Sequence, residues 1–218
     1  MKRMRIIGLC LVAVFALSAV VAGTASAAKA KPKLILKIKG GAALTVGANV
    51  QFFSSNLKTV TSGGTLECSE NTLYGKVTEN ESIKADKISV TEETSVGAEE
   101  YNGEKHLCHV SGALGPTKIT SGKFPWPGEF TVKKTQVLKG SAKVEFTSVF
   151  PEAGGTTCHF EDAKITSKFN VGGPLIVTTT GAKFKPGSGS SKACPKLGTL
   201  GGTFEVTSEG QQVEAELT

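Results

Sequence analysis

The sequence predicts an all-β protein, a mainly antiparallel β-sandwich stabilised by disulfides. Three observations support this prediction. Apolar and polar residues alternate with a period of two in many short segments, as in half-buried strands. Most of the 26 glycines stand between these segments rather than in a linker. No long stretch after residue 26 keeps the period of about 3.6 residues that marks an amphipathic helix.

The first 27 residues have the pattern of a secretory signal peptide. Basic residues occupy three of the first five positions, an apolar run extends from Ile6 to Gly23, and Ala25 and Ala27 frame a cleavage site after Ala27. The alternative is an uncleaved membrane anchor, because this run could just span a bilayer. The small residues at the site favour cleavage. We therefore expect a secreted, extracellular protein with no membrane span after signal cleavage.

Residues 28–40 form a Lys-rich lead and the first strand, in which Leu34, Leu36 and Ile38 alternate with lysines. The lead could contact a phosphate-bearing envelope polymer or lipid headgroups. Lysine at a sheet edge also discourages pairing with another chain, and we favour this second interpretation. Nucleic acid is not an expected partner, because no arginine follows the signal peptide and arginine is the usual ligand of phosphate and guanine.

Residues 41–218 are predicted to form the sandwich, either as one large unit or as two coupled halves, 41–150 and 151–218. A Gly-Gly-Thr sequence precedes a cysteine in each half, which is a weak internal repeat. Two antiparallel hairpins are predicted from alternation and turn residues. They are Lys164–Val171 with Leu175–Thr180, and Thr203–Thr207 with Val213–Leu217.

Four cysteines follow the predicted cleavage site, namely Cys68, Cys108, Cys158 and Cys194. An even number in an exported protein predicts two disulfides, and three pairings are allowed. The internal repeat favours Cys68–Cys108 and Cys158–Cys194. Each bond would close a loop of nearly forty residues and contribute roughly 3–4 kcal/mol in the chain-entropy model.

A metal site is the functional alternative for these cysteines, because all three histidines, His106, His109 and His159, lie beside them. On a strand, however, His106 and Cys108 would share one face and His109 would point to the other. The spacing also lacks the CxxC pattern of a zinc site. No metal and no cofactor are therefore expected.

The sequence gives mostly negative signals for catalysis. Neither the G-x-S-x-G nor the H-E-x-x-H pattern occurs, and nothing groups Asp86 or Asp162 with a histidine and a serine. Glu161 and Asp162 could be imagined as a glycosidase pair, but neighbouring strand residues face opposite ways. We expect no catalytic residues and a protein that is not an enzyme.

An acidic stretch runs from Glu67 to Glu104 and includes Glu92, Glu93 and Glu99. Carboxylates can bind calcium, but the stretch lacks the Asp, Asn and Gly pattern of a calcium loop. A solvated loop is the prediction.

The single tryptophan, Trp126, is held between Pro125 and Pro127. One interpretation is a stiff, exposed platform that stacks on a sugar ring. The other is that the ring fills one end of the sandwich, and the next strand starts after the second proline. We favour the second interpretation and keep Trp126 as a candidate ligand platform.

A succession of loose motifs resembles a group of exported actinobacterial proteins. Its parts in this chain run from Cys68 through Leu73-Tyr74-Gly75, Phe124-Pro125-Trp126 and Cys158-His159-Phe160 to Cys194-Pro195. These proteins share a signal peptide, paired cysteines and an apolar-Pro-Trp segment. The group has no assigned activity, so the resemblance implies an exported β-protein and assigns a role to no residue.

The sequence thus predicts a secreted, non-catalytic β-sandwich protein with a structural or protein-interaction role. Another surface protein or a cell-envelope polymer is the expected partner. The alternative is a module that binds cell-wall or environmental polysaccharide through Trp126.

Overall fold

β-strands form the regular structure of the chain in a computed structural model that describes residues 31–61, 64–111, 115–146, 156–190, 192, 194 and 198–218. These ranges contain sixteen strands and no helix. The strands are β1 (Leu34–Ile38), β2 (Asn49–Ser54), β3 (Lys58–Thr61), β4 (Gly64–Glu67), β5 (Glu70–Glu79), β6 (Ala85–Val96), β7 (Glu99–Tyr101), β8 (Glu104–Leu107), β9 (His109–Val110), β10 (Thr117–Ser121), β11 (Trp126–Thr131), β12 (Thr135–Phe146), β13 (Thr156–Phe169), β14 (Ile176–Phe184), β15 (Gly198–Ser208) and β16 (Gln211–Leu217). Accordingly, this part of the chain contains no helix that could cross a membrane.

The strand pairings close into a ring. In order around it, β2, β5, β6, β11, β12, β13, β14 and β15 are each paired with the next, and β15 pairs with β2 again. Every one of these pairings is antiparallel. A closed ring leaves few free strand edges, which limits pairing with other chains.

Strands outside the ring extend it at three places. β1 pairs with β16, which forms a tight hairpin with β15. β3 pairs with the first residues of β15, β4 pairs with β3, and β9 pairs with β4. β10 pairs with the last part of β12. β7 and β8 form a separate two-stranded hairpin.

The main core lies inside the ring. Its fully buried side chains include Phe130, Val90 and Val77. Phe52 of β2 stacks on Phe130 of β11 with a centroid distance of 6.1 Å, although β5 and β6 separate the two strands in the ring. Walls of the ring therefore pack face to face, which is the packing expected in a sandwich.

A second, smaller apolar cluster contains all four cysteines of the described chain together with Leu66, Val110 and Phe160. We call it the disulfide cluster. Phe184 packs against it, and its ring meets that of Phe160 edge to face with a centroid distance of 4.6 Å.

The prediction of an all-β, antiparallel, disulfide-stabilised fold is confirmed. Both predicted hairpins are present as β13–β14 and β15–β16, and the predicted first strand is β1. Residues 32–218 form one compact unit. Since β2 pairs with β15 and β12 pairs with β13, the segments 41–150 and 151–218 share one sheet. The predicted signal peptide, residues 1–27, lies outside the described residues.

Candidate functional site

The four cysteines form two disulfides, in the pairing that the internal repeat favoured. Cys68 is bonded to Cys108 and Cys158 to Cys194, with Cα atoms 4.5 Å and 5.6 Å apart. All four residues are buried. The prediction of disulfides is confirmed, and these sulfurs are not available as metal ligands.

The three histidines do not join the cysteine sulfurs in a metal site. The Nδ1 atom of His109 is 3.1 Å from Oε1 of Glu99, and both side chains are exposed. His106 is exposed on β8 with a positive φ of 63°. The backbone of His159 hydrogen-bonds to Ser190, whose hydroxyl accepts from the amide and donates to the carbonyl. In the described ranges no three His, Cys, Asp or Glu side chains converge as metal ligands.

Trp126 does not offer an exposed ring. Its side chain is buried, its residue only 7% exposed, and it belongs to the main core. Phe124 stacks on the indole with a centroid distance of 4.6 Å, and Nε1 donates a hydrogen bond of 2.8 Å to the carbonyl of Gly122. The ring is therefore not the exposed platform of the first interpretation, and its burial agrees with the favoured one. The ring fills the core, because its polar atom has a backbone partner and its face is covered.

The Lys-rich lead is largely paired where the structure describes it. Lys33 bonds Glu81 at 2.8 Å, and Lys37 bonds Glu216 at 2.6 Å. Lys39 donates to the side chain of Gln212. These contacts hold β1 against its neighbours and favour the structural interpretation of the lead.

The acidic stretch is ordered as strands rather than as the predicted loop. Its residues form the end of β4 and the strands β5 to β8. Several of its carboxylates make exposed ion pairs, for example Glu67 with Lys58 and Glu104 with Lys118, both at 2.8 Å. Exposed pairs contribute little stability, about 0–1 kcal/mol each. The loop prediction was wrong because charged residues on the outer face of a strand alternate with residues that face inward.

A layer of polar side chains faces into the ring between the main core and the disulfide cluster. Along β14, for example, Val177 belongs to the main core, Thr179 is polar and buried, and Phe184 packs on the disulfide cluster. We call these residues the polar layer. Its members are Ser54, Asn71, Glu93, Ser95, Ser167 and Thr179.

A β-bulge in β6 turns Glu93 toward the inside. Val90 pairs with Gly75 and Glu92 pairs with Tyr74. Because Tyr74 and Gly75 are consecutive in β5, Thr91 has no partner residue in β5 and is the extra residue of the bulge. Before the bulge, even-numbered residues such as Val90 are buried, and after it the inward positions are odd-numbered. Bulges of this kind re-aim side chains and often lie next to functional sites.

Glu93 is the centre of a small hydrogen-bonded group that we call the Glu93 cluster, made of Asn71, Glu93, Ser95 and Ser121. Oε1 of Glu93 contacts the hydroxyl of Ser95, and Oε2 contacts the hydroxyl of Ser121 on β10. The Ser95 hydroxyl also lies 2.9 Å from Oδ1 of Asn71. Asn71 is only 3% exposed, and its Nδ2 atom has no hydrogen-bond partner among the described residues.

Elsewhere inside the ring, polar side chains satisfy one another. The hydroxyls of Ser167 and Thr179 are 2.5 Å apart. Ser54 donates to Oδ1 of Asn56, which also accepts from the amide of Thr203. Within the polar layer as described, the atom without a hydrogen-bond partner is Nδ2 of Asn71, which belongs to the Glu93 cluster.

Another carboxyl, that of Asp86, lies at the other end of β6. It is fully buried, and its Oδ1 accepts a 2.9 Å hydrogen bond from the amide of Ser82. Oδ2 has no partner within the described ranges. Burial raises the pKa of Asp86 to about 7, and Glu79 and Glu81 act in the same direction.

Sequence reasoning missed the Glu93 cluster, since Glu93 stood in a run of glutamates that suggested a solvated stretch. Alternation alone would place either Glu92 or Glu93 inside, depending on where a bulge falls. The unusual density of Ser and Asn at strand positions that otherwise face a core was the available signal.

The chain matches no known protein-family model, and comparisons with characterised proteins and with solved structures give no significant match. Inference about function therefore depends on the residues themselves.

Proposed function

We propose that this chain is a secreted, non-catalytic β-domain protein that works at the cell envelope or outside the cell, as a structural component or by binding another surface protein. The observation that carries the proposal is the pairing of all four cysteines after residue 27 in two buried disulfides. Such bonds persist in oxidising compartments. The order of motifs that resembles exported actinobacterial proteins supports the same conclusion.

The closed ring also supports a stable scaffold role. Its strands form few free edges, and its interior is filled by the main core, the polar layer and the disulfide cluster. Function in such a protein would lie on exposed surfaces. The polysaccharide alternative loses its candidate contact, because the Trp126 ring is covered.

Localisation is tested by expressing the full chain in an actinobacterial host and comparing it with a variant that lacks residues 2–27. We expect the full chain in the medium or envelope fraction, beginning at Ala28, with an intact mass four hydrogens below that of the reduced chain. The truncated variant should stay inside the cell. Recovery of the unprocessed, reduced full chain from the cytoplasm would contradict the proposal.

Protein interaction is tested on intact cells with an amine-reactive crosslinker, followed by mass spectrometry of the captured species. The exposed lysines, such as Lys76 and Lys105, provide reactive groups. Reproducible crosslinks to one surface protein would support the proposal. Pelleting of the purified protein with protein-free cell wall, without any crosslinked protein, would favour a polymer-binding role instead.

A further inference from the structure

The Glu93 cluster contains fewer hydrogens than its oxygen contacts require. Three contacts join oxygen atoms, Ser95 to Asn71, Ser95 to Glu93 and Ser121 to Glu93. Each needs one hydrogen between the two oxygens. The two serine hydroxyls supply two, whereas a carboxylate and an amide carbonyl supply none. With Glu93 ionised and Oδ1 of Asn71 facing Ser95, one pair of oxygens faces each other without a hydrogen.

Glu93 has no balancing positive charge among the side chains that the structure describes. Glu93 is half-buried on the inward face of β6, opposite Leu73, which packs on the main core. No lysine or histidine of the described residues forms an ion pair with it, although neighbouring glutamates such as Glu99 and Glu104 are paired. A carboxylate removed from water is costly unless a counter-charge is present.

We propose that the Glu93 cluster binds a calcium ion. A cation between Glu93, Ser95 and Asn71 would turn the clashing lone pairs into ligands and would neutralise the carboxylate at the same time. Calcium accepts carboxylate, carbonyl, hydroxyl and water oxygens in flexible geometry. Zinc prefers nitrogen and sulfur ligands, and magnesium demands a near-ideal octahedron. This inference does not depend on the proposed function.

The unpartnered amide nitrogen of Asn71 is a second observation at the same place. A buried N–H group without an acceptor points to a water that belongs to the native site. A water retained by the calcium ion is a suitable acceptor for Nδ2. Glu93, Ser95 and Ser121 are only partly buried, so the cluster can be reached from solvent.

Two arrangements without a cation would also balance the hydrogen count. A proton on Glu93 would supply the missing hydrogen. Alternatively, the Asn71 carboxamide could turn over, so that Nδ2 donates to Ser95 and Oδ1 remains without a donor. Both arrangements predict a protein whose stability is indifferent to calcium, and this difference makes the proposal testable.

The test is a calcium titration of the exported, oxidised protein after removal of divalent ions with EDTA. Thermal unfolding is followed with CaCl2 and, separately, with MgCl2. With a Kd of about 0.1–1 mM, as in extracellular calcium modules, calcium at ten times Kd should raise Tm by about 3–5 °C. Magnesium should have a much smaller effect. Direct binding is measured with terbium luminescence and competition by calcium.

Glu93→Gln removes the charge and keeps the shape, so it should abolish the calcium-dependent rise in Tm and the terbium signal. Glu92→Gln is the matched control, because Glu92 is the neighbouring, exposed carboxylate on the outer face. Ser121→Ala removes the hydroxyl that orients the Glu93 carboxylate and should weaken binding about tenfold. The proposal fails if wild type shows no calcium effect, or if Glu93→Gln responds like wild type. A Glu93→Gln variant more stable than calcium-free wild type, with no calcium response in either, would identify the protonated arrangement and overturn it.

Discussion

At the scale of single residues, Asp86 couples the stability of the fold to pH. The side chain is fully buried beside the β5–β6 turn, with one carboxyl oxygen bonded to the amide of Ser82 and the other without a partner among the described residues. In the folded state, burial raises the pKa of Asp86 to about 7 from an ordinary value of 3.8. The folded protein therefore holds this proton more tightly than the unfolded chain does.

The contribution of Asp86 to stability is complete below about pH 4 and falls as the pH rises to about 7. We expect the free energy of unfolding to decrease over this window by up to about 4 kcal/mol. In Asp86→Asn the carboxamide keeps the acceptor for Ser82 and cannot ionise, so the contribution of Asp86 to this slope should disappear. Urea unfolding at several pH values checks this. The exposed Glu129→Gln is the control, and an unchanged slope in Asp86→Asn would contradict the prediction.

Trp126 shows what residue identity alone leaves open. Flanking prolines predicted a stiff segment, but stiffness suits an exposed platform and a buried plug equally well. The choice depends on Phe124 and the Gly122 carbonyl, which cover the ring and bind its nitrogen. Both partners are close in sequence, but their orientation follows from the pairing of β11 with β6.

At the scale of elements, the turn between β5 and β6 fastens the first strand to the ring. The Oδ1 atom of Asn80 accepts from the amide of Leu36, and Nδ2 donates to the carbonyls of Leu36 and Leu44, both at 2.7 Å. The carbonyl of Ser82 also accepts from the amide of Leu34. The Asn80 side chain therefore provides hydrogen-bond partners for the edge of β1 that does not pair with β16.

Asn80→Ala should destabilise the protein by about 2–4 kcal/mol, because four hydrogen bonds are lost, one of them from the amide of Glu81, and partly buried backbone groups of β1 are left unpaired. Chemical denaturation measures the loss, and amide exchange should speed up in Leu34–Ile38 before it does in β5. Asn170→Ala is the comparison, since Asn170 makes two similar bonds at an exposed turn. Equal losses for the two variants would show that Asn80 has no special role.

Alternation with period two predicted the strands but not their inward positions throughout. It works for β1 and β16, whose buried residues alternate without interruption. It fails beyond Thr91, where the bulge exchanges the inward and outward positions of β6. A bulge depends on how two strands pair, and pairing is not encoded in the pattern of one strand. The Glu93 cluster follows from the bulge, so alternation alone could not predict it.

At the scale of the whole molecule, the closed ring depends on pairings between distant parts of the chain. β2 pairs with β15, and β14 pairs with β15 on its other side. The sequence predicted the class of fold because strand periodicity is a local signal, and it favoured the disulfide pairing because a Gly-Gly-Thr repeat precedes the first cysteine of each bond. The order of strands around the ring is a property of the assembled core, so no local signal carried it.

The polar layer divides the interior into two apolar regions that differ in their covalent cross-links. The main core has no disulfide among its described residues, whereas the disulfide cluster holds both. Hydrogen-bonded polar side chains couple two regions less tightly than interlocked apolar side chains do. We therefore expect one region to unfold locally, without the other, when it is destabilised.

Replacing both cysteines of one bond by alanine, either Cys68 and Cys108 or Cys158 and Cys194, should lower the free energy of unfolding by about 3–4 kcal/mol. The two losses should be similar, because the loops span 40 and 36 residues. Hydrogen exchange should accelerate around Leu66, Val110 and Phe160, while amides near Phe130 keep their protection until global unfolding. Each double variant serves as the control for the other. Equal acceleration across both apolar regions would show that the interior unfolds as one unit, and that the polar layer does not separate it.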